Sequence, residues 1–331
     1  MGSTLAARIA GGLRGLWISG THFAEAQQWS KQIAAHLDID RDPDAYALLL
    51  RLKVQTAYGG GERAVLEDAI RFFGRIDDRN GLVNAHLHLL YKLCQWDELD
   101  AVPPVLKEAQ ALMSSESVVG SDLPARLHAL RGHFEGLRGN FDRAREEFAE
   151  AVRLVSGHSS RWYSNILFKT AEVEALAGNH ARAIEIFDEA ASDGNLDVEP
   201  NRYAAGYHRA ICYFLSGDIE KATRELTETL DFVLDRFEDN ADFFNDVVFI
   251  TGIFAAHQGL PEEAARLKGY ADANTVTLEI GAMAKRLLAK LDASLSAQFD
   301  PAGLEDLKRT GARWSKAEAL ERMLATLDAI A

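Results

Sequence analysis

Apolar side chains recur along this chain at helical spacing, in stripes that are each too narrow to fold alone. Between residues 143 and 154 they fall at Ala144, Phe148, Ala151, Val152 and Leu154. Between 181 and 191 they fall at Ala183, Ile184, Ile186, Phe187, Ala190 and Ala191, and between 222 and 233 at Ala222, Leu226, Leu230 and Val233. This periodicity predicts one-faced α-helices that neighbours must cover. No convincing run of β-branched alternation interrupts it, so the chain reads as all-α.

A recurring phrase punctuates the stripes. Gly139-Asn140-Phe141-Asp142-Arg143-Ala144 is followed by Phe148 and Ala151, and Gly178-Asn179-His180-Ala181-Arg182-Ala183 by Phe187 and Ala190. Gly217-Asp218-Ile219-Glu220-Lys221-Ala222 is followed by Leu226 and Thr229, and Gly259-Leu260-Pro261-Glu262-Glu263-Ala264 by Lys268 and Ala271. A small residue stands seven before each glycine: Gly132, Ala171, Ala210 and Gly252. A glycine turn with small residues where two helices touch predicts antiparallel helix pairs stacked into a solenoid. The turns are 39, 39 and 42 residues apart, longer by about a helical turn than a helix–turn–helix repeat unit of about 34 residues.

Weaker copies precede these. Cys94-Gln95-Trp96-Asp97-Glu98-Leu99 makes a turn with Trp96 in the place of Phe141, Gly59-Gly60-Gly61 another, and Gly20 to Ala26 the first, with Trp29 as a later anchor. Six pairs would fill residues 1–275. Connectors fall at 38–44, 114–123, 156–161 and 192–201, all rich in Ser, Gly, Asp or Pro. Beyond 275 the phrase stops. Glu279 to Leu295 reads as a helix, Asp300-Pro301 starts a second, and Ser315 with Glu318 forms a capping box for a third. Leu320, Met323, Leu324 and Leu327 would face the repeats, making 276–331 a C-terminal helical cap.

Composition changes the picture little. Of 331 residues, 47% are apolar and 26% charged, which argues against general disorder. The net charge of −14 argues against direct nucleic-acid contact, which needs clustered Lys and Arg. No apolar run reaches the roughly 18 residues of a membrane span, and glycines 11, 12, 15 and 20 break any signal-peptide core. Cys94 and Cys212 read as buried reduced thiols, which suits a cytoplasmic location. Met1-Gly2-Ser3 resembles an expression scar, so the chain is readable as a fragment of something longer.

Patterns for catalysis are sparse. There is no phosphate loop and no GxSxG elbow. His86 and His88, two apart on a helix, point in different directions. The pairs Glu146-Glu147 and Glu262-Glu263 read as solvated outer faces, and most of the five dispersed tryptophans as core anchors. No cofactor, metal or catalytic residue is expected. A binding groove is the more informative reading. Positions 13, 10 and 6 before each turn glycine would line the inner face. They are Arg126, Ala129 and His133; Asn165, Phe168 and Glu172; Ala204, Tyr207 and Ile211; Asp246, Phe249 and Ile253. Of these, Arg126, His133, Asn165, Phe168, Glu172, Tyr207, Asp246 and Phe249 form a row of aromatics between polar groups, suited to a peptide or helix.

The phrase G-[ND]-x-x-x-A-x-x-x-F-x-x-A resembles tetratricopeptide repeats over residues 126–272, which implies an all-α, right-handed superhelical solenoid of antiparallel helix pairs. Leu16-Trp17-Ile18-Ser19-Gly20 with Phe23-Ala24-Glu25-Ala26, and Gly311 to Leu320, are similar to the C-terminal repeat regions of bacterial maltose-regulator-like ATPases and transcription regulators. Some class III nucleotide cyclases carry a similar tail. The resemblance implies a non-enzymatic sensor or docking domain that binds a protein, a peptide or a small inducer. A stand-alone adaptor or scaffold is the first alternative, an enzyme with an unrecognised site the remote one. Self-association is compatible with either. No ATPase motif is present, and the Lys/Asn/Arg groove set of chaperone-tail binders is not found.

Overall fold

A computed structural model describes residues 2–19, 23–57, 61–114, 122–156, 162–192, 198–236, 241–275 and 282–331. Among these, every regular element is helical: eighteen α-helices and a 3₁₀ turn at Leu99–Ala101, with helices packed in neighbouring pairs. The chain divides into two compact units, residues 1–166 with 194–197, and residues 167–193 with 198–331.

The first unit runs through α1 (Gly2–Gly12), α2 (Arg14–Ser19), α3 (Phe23–Ala34), α4 (Pro43–Gln55), α5 (Glu62–Arg75), α6 (Arg79–Gln95), α7 (Val102–Met113), α8 (Leu123–Leu137) and α9 (Phe141–Val155) to the start of α10 (Trp162–Leu176). Small residues set its closest crossings. Helix α1 lies on α4 through Ala7, Ala10 and Gly11, and a Cβ on Gly11 would meet the Leu48 backbone at 2.6 Å. Helices α8 and α9 meet at Gly132, where a Cβ would stand 3.1 Å from the Ala144 carbonyl. Helix α8 buries eleven of its fifteen residues, whereas α9 buries four of fifteen. In this pair the first helix is enclosed and the second one-faced, which is why the clean stripe marks α9 and not α8.

The turns share one geometry. Gly139, Gly178, Gly217 and Gly259 have φ of 84, 84, 85 and 80°, the left-handed region that glycine enters without a Cβ penalty. At the first, Gly139 N–H donates to Gly136 O (3.0 Å) and Asn140 N–H to Glu135 O (2.9 Å), and the other three repeat the pair of bonds. This closes the last carbonyls of the preceding helix. Asp77 (φ 52°) and Asp97 (φ 60°) do the same after α5 and α6. Asp97 therefore takes the glycine's place in the 94–99 turn, and Leu99 stands where Phe141 does, not Trp96. Asp77 marks a turn that carries no glycine signal. Gly20, Gly59 and Gly60 lie outside the described residues, as do connector residues 115–121, 157–161 and 193–197. Helix α4 starts at Pro43, inside the stretch read as a connector.

The second unit continues from α10 through α11 (His180–Ser192), α12 (Val198–Leu215), α13 (Ile219–Arg236), α14 (Ala241–His257), α15 (Pro261–Asn274), α16 (Ala282–Gln298), α17 (Pro301–Ala312) and α18 (Lys316–Ile330). Helix α12 thus begins within the stretch 192–201 read as a connector. Ala183, Ala222 and Ala264, five after their glycines, are fully buried. Helix α15 is covered on a second side by α17, at a crossing where a Cβ on Gly269 or Gly311 would overlap the Lys308 or Arg266 carbonyl. Asp300 caps α17, and the Ser315–Glu318 capping box starts α18. Helix α18 packs on α13, α14 and α15 through Ala319, Met323, Thr326, Leu327 and Ile330. Leu324 points outward at 37% exposure, because the covered face is rotated from the one the leucines alone suggest.

Candidate functional site

The repeat positions carry ion pairs that hold the enclosed helices. Glu135 and Glu174, four before their glycines, are buried and accept from Nδ2 of Asn140 (2.7 Å) and Asn179 (2.6 Å) just beyond the turn. Arg131 and Arg209, eight before their glycines, pair with Glu147 (3.0 Å) and Glu225 (2.9 Å), eight after them. Glu147 also takes His128 at 2.7 Å, and Glu263 pairs with Arg266 at 3.0 Å. The second glutamate of each acidic pair is therefore an internal tie, while Glu146 and Glu262 remain exposed.

Within the first unit, Arg126 is buried, donates to Asn84 Oδ1 (2.6 Å) and lies 4.1 Å from the Trp162 ring. His133 is buried in α8 and Asn165 is exposed. Within the second unit, Phe168, Glu172 and Tyr207 gather around a residue the inward offsets skip, His208. Its ring is 6.3 Å from Phe168, 4.9 Å from Phe187 and 4.1 Å from Tyr207. Tyr203 extends the run to Tyr207 (5.2 Å) and Phe243 (4.5 Å), and its hydroxyl donates to Asp246 Oδ2 at 2.9 Å. Glu172 is buried and accepts from Lys169 at 3.2 Å. Phe249 is buried beneath the Lys268 ammonium, 5.8 Å from the ring centroid.

Burial decides what these groups can do. Tyr207 and Phe249 are 5% and 2% exposed, so their rings serve the core; of the proposed aromatics only Phe168 keeps a partly open face. His208 is fully enclosed, and desolvation pushes its pKa down to about 4 against an upward pull from Glu172. Its Nδ1 lies 2.7 Å from the Ala204 carbonyl, so the neutral ring carries its proton there. Burial likewise pushes the Cys212 thiol up to about 12, and both cysteines are buried. No tryptophan is fully buried: Trp29 is 49% exposed, and Trp17, Trp96, Trp162 and Trp314 are half-buried, Trp96 under Arg63 at 4.5 Å. A large ring with a polar edge is well placed under a cation at such a rim.

No group of His, Cys, Asp and Glu with metal-binding geometry occurs among the described residues, and no helix among them is long and apolar enough to cross a membrane. Comparison of the chain with known protein families and with curated proteins finds no match. A cleft of about 590 Å³ opens in the first unit among α5, α6 and α7. Its floor includes Leu82 and His86, and the latter's Nε2 lies 3.0 Å from Glu108 on the rim. The sequence pattern gave no signal for it, because its walls come from three helices whose individual stripes are unremarkable.

Proposed function

We propose that the chain is a tetratricopeptide-like binding module, a right-handed superhelical solenoid acting as the sensor or docking part of a bacterial signalling or transcription regulator, with no catalytic step of its own. The observation that carries this reading is the recurrence of one turn geometry at glycines spaced 39, 39 and 42 apart, with buried small residues at the helix contacts. Repeats of that kind stack into extended surfaces whose inner wall is built from the first helices. The hydrogen bond from buried Arg126 to Asn84 supports the reading, because a polar group held by an internal partner fixes the helices of the unit that carries Asn165. The partner is a protein or peptide, and the exposed Asn165 of the first unit is its contact. The alternative is a stand-alone cytoplasmic adaptor with the same surface.

The test is direct. Partners captured on the full chain from native lysate are titrated against wild type, Asn165→Arg and Glu146→Arg. The inner-face change is expected to weaken binding about tenfold, or 1.4 kcal/mol, and the outer-face change by less than about twofold. Binding that is lost with Glu146→Arg and kept with Asn165→Arg would place the partner on the outer helices and overturn the proposal.

A further inference from the structure

Helix α7 is thinly held. It buries only Val102 and Ala109 of its twelve residues, against ten of seventeen in α6. At the cleft a side-chain bond ties the two helices. His86 of α6, with its side chain 5% exposed, meets Glu108 of α7, whose carboxylate is 66% exposed. Both nitrogens of the ring face oxygen. Nδ1 lies 2.9 Å from the Leu82 carbonyl, four residues back on its own helix, and Nε2 lies 3.0 Å from Glu108 Oε2. A carbonyl and a carboxylate only accept, and a neutral imidazole donates from one nitrogen alone. A neutral ring would set a lone pair against one of the two oxygens, where burial leaves little water to intervene. The imidazolium donates to both. His208 has the same bond from Nδ1 to a carbonyl four residues back, but it is enclosed by Phe168, Phe187 and Tyr207 and stays neutral. The other charges lining the cleft, Asp77 and Arg79, pair with each other at 3.4 Å. Of the helices packed on α6, α4 brings Arg51, which pairs with Asp78, α5 brings Glu62, which pairs with Lys92, and α8 brings Arg126, bonded to Asn84. Glu98, before the 3₁₀ turn, takes Arg63. On α7 the only other charge is Lys107, next to Glu108 and so turned away from it. Glu108 is the charge that answers the ring.

We propose that His86 is an imidazolium that clamps α7 onto α6, and that loss of a ring proton as pH rises loosens α7 and opens the cleft. The sign follows from the bond. The Glu108 carboxylate favours the protonated ring, so the clamp is complete in mild acid and fades toward alkaline pH. Nitrogen-15 NMR of the histidine rings in the full chain should show both His86 nitrogens protonated at pH 6 and one of them stripped by pH 8.5. Amide hydrogen exchange over residues 102–113, corrected for the intrinsic effect of pH, should be about threefold faster at pH 8.5 than at pH 6, the range that an ion pair with one exposed partner supports. Glu108→Gln keeps an acceptor without the charge, at an exposed position, and should hold α7 equally at both pH values. His86→Phe should exchange over the same residues at pH 6 as the wild type does at pH 8.5, with helicity unchanged by circular dichroism. A ring that is singly protonated at pH 6 would overturn the proposal. So would exchange over 102–113 that ignores pH in the wild type, or that keeps its pH dependence in Glu108→Gln.

Discussion

His208 makes the second unit sensitive to acid. Its ring is enclosed by Phe168, Phe187 and Tyr207, and its pKa is lowered to about 4 from the ordinary 6.5. The unfolded chain therefore binds a proton that the folded one refuses. The resulting stability is fully present above pH 6.5 and is lost as pH falls toward 4. At 1.36 kcal/mol per pKa unit, the loss is ~3 kcal/mol. Carboxylates titrate near the lower end of this window, so the measurement is a difference. Urea unfolding of wild type and His208→Phe, followed by far-ultraviolet circular dichroism at half-unit steps from pH 7 to 4.5, isolates the histidine. The phenylalanine keeps the ring contacts and cannot be protonated. The wild type should lose stability more steeply than the variant between pH 6.5 and 4.5, and a ring-carbon titration by NMR should show no His208 midpoint above 5. Parallel profiles, or a midpoint near 6.5, would show that water reaches the ring and that burial does not govern it.

The helix contacts and turns yield three further tests by urea denaturation. Ala183→Leu and Ala222→Leu, at fully buried contacts, should each cost about 1–3 kcal/mol through overpacking; tolerance at both would mean that the pair register is wrong. Gly269→Ala and Gly311→Ala, where the new Cβ meets backbone and not a movable side chain, should cost about 3 kcal/mol, and deletion of 300–331, which uncovers the α15 face, should lower the urea midpoint. Asp77→Gly and Asp97→Gly should stabilise by about 1 kcal/mol, since φ of 52 and 60° strains a residue with a Cβ; destabilisation at both would show that the aspartate side chains earn their place.

The helical class, the four glycine turns and the alanines at the helix contacts were legible in the residues alone. Each is a local requirement. A left-handed φ selects glycine, a close crossing selects a small side chain, and a one-faced helix shows its stripe whatever it packs against. The capping box at Ser315 belongs to the same class, since its bonds close within four residues. Where a turn uses Asp77 or Asp97 the signal fades, because aspartate tolerates that backbone without being diagnostic of it. The site was legible only as a set of offsets. Those offsets name helix positions facing the next pair, and whether such a position is open or covered depends on side chains dozens of residues away. Tyr207 and Phe249 are covered, Asn165 is not, and His208, one position beyond an inward offset, sits at the centre of the aromatic run. The cleft among α5, α6 and α7 was decided by tertiary packing for the same reason: burial is a property of what surrounds a residue, and no single helix carries it.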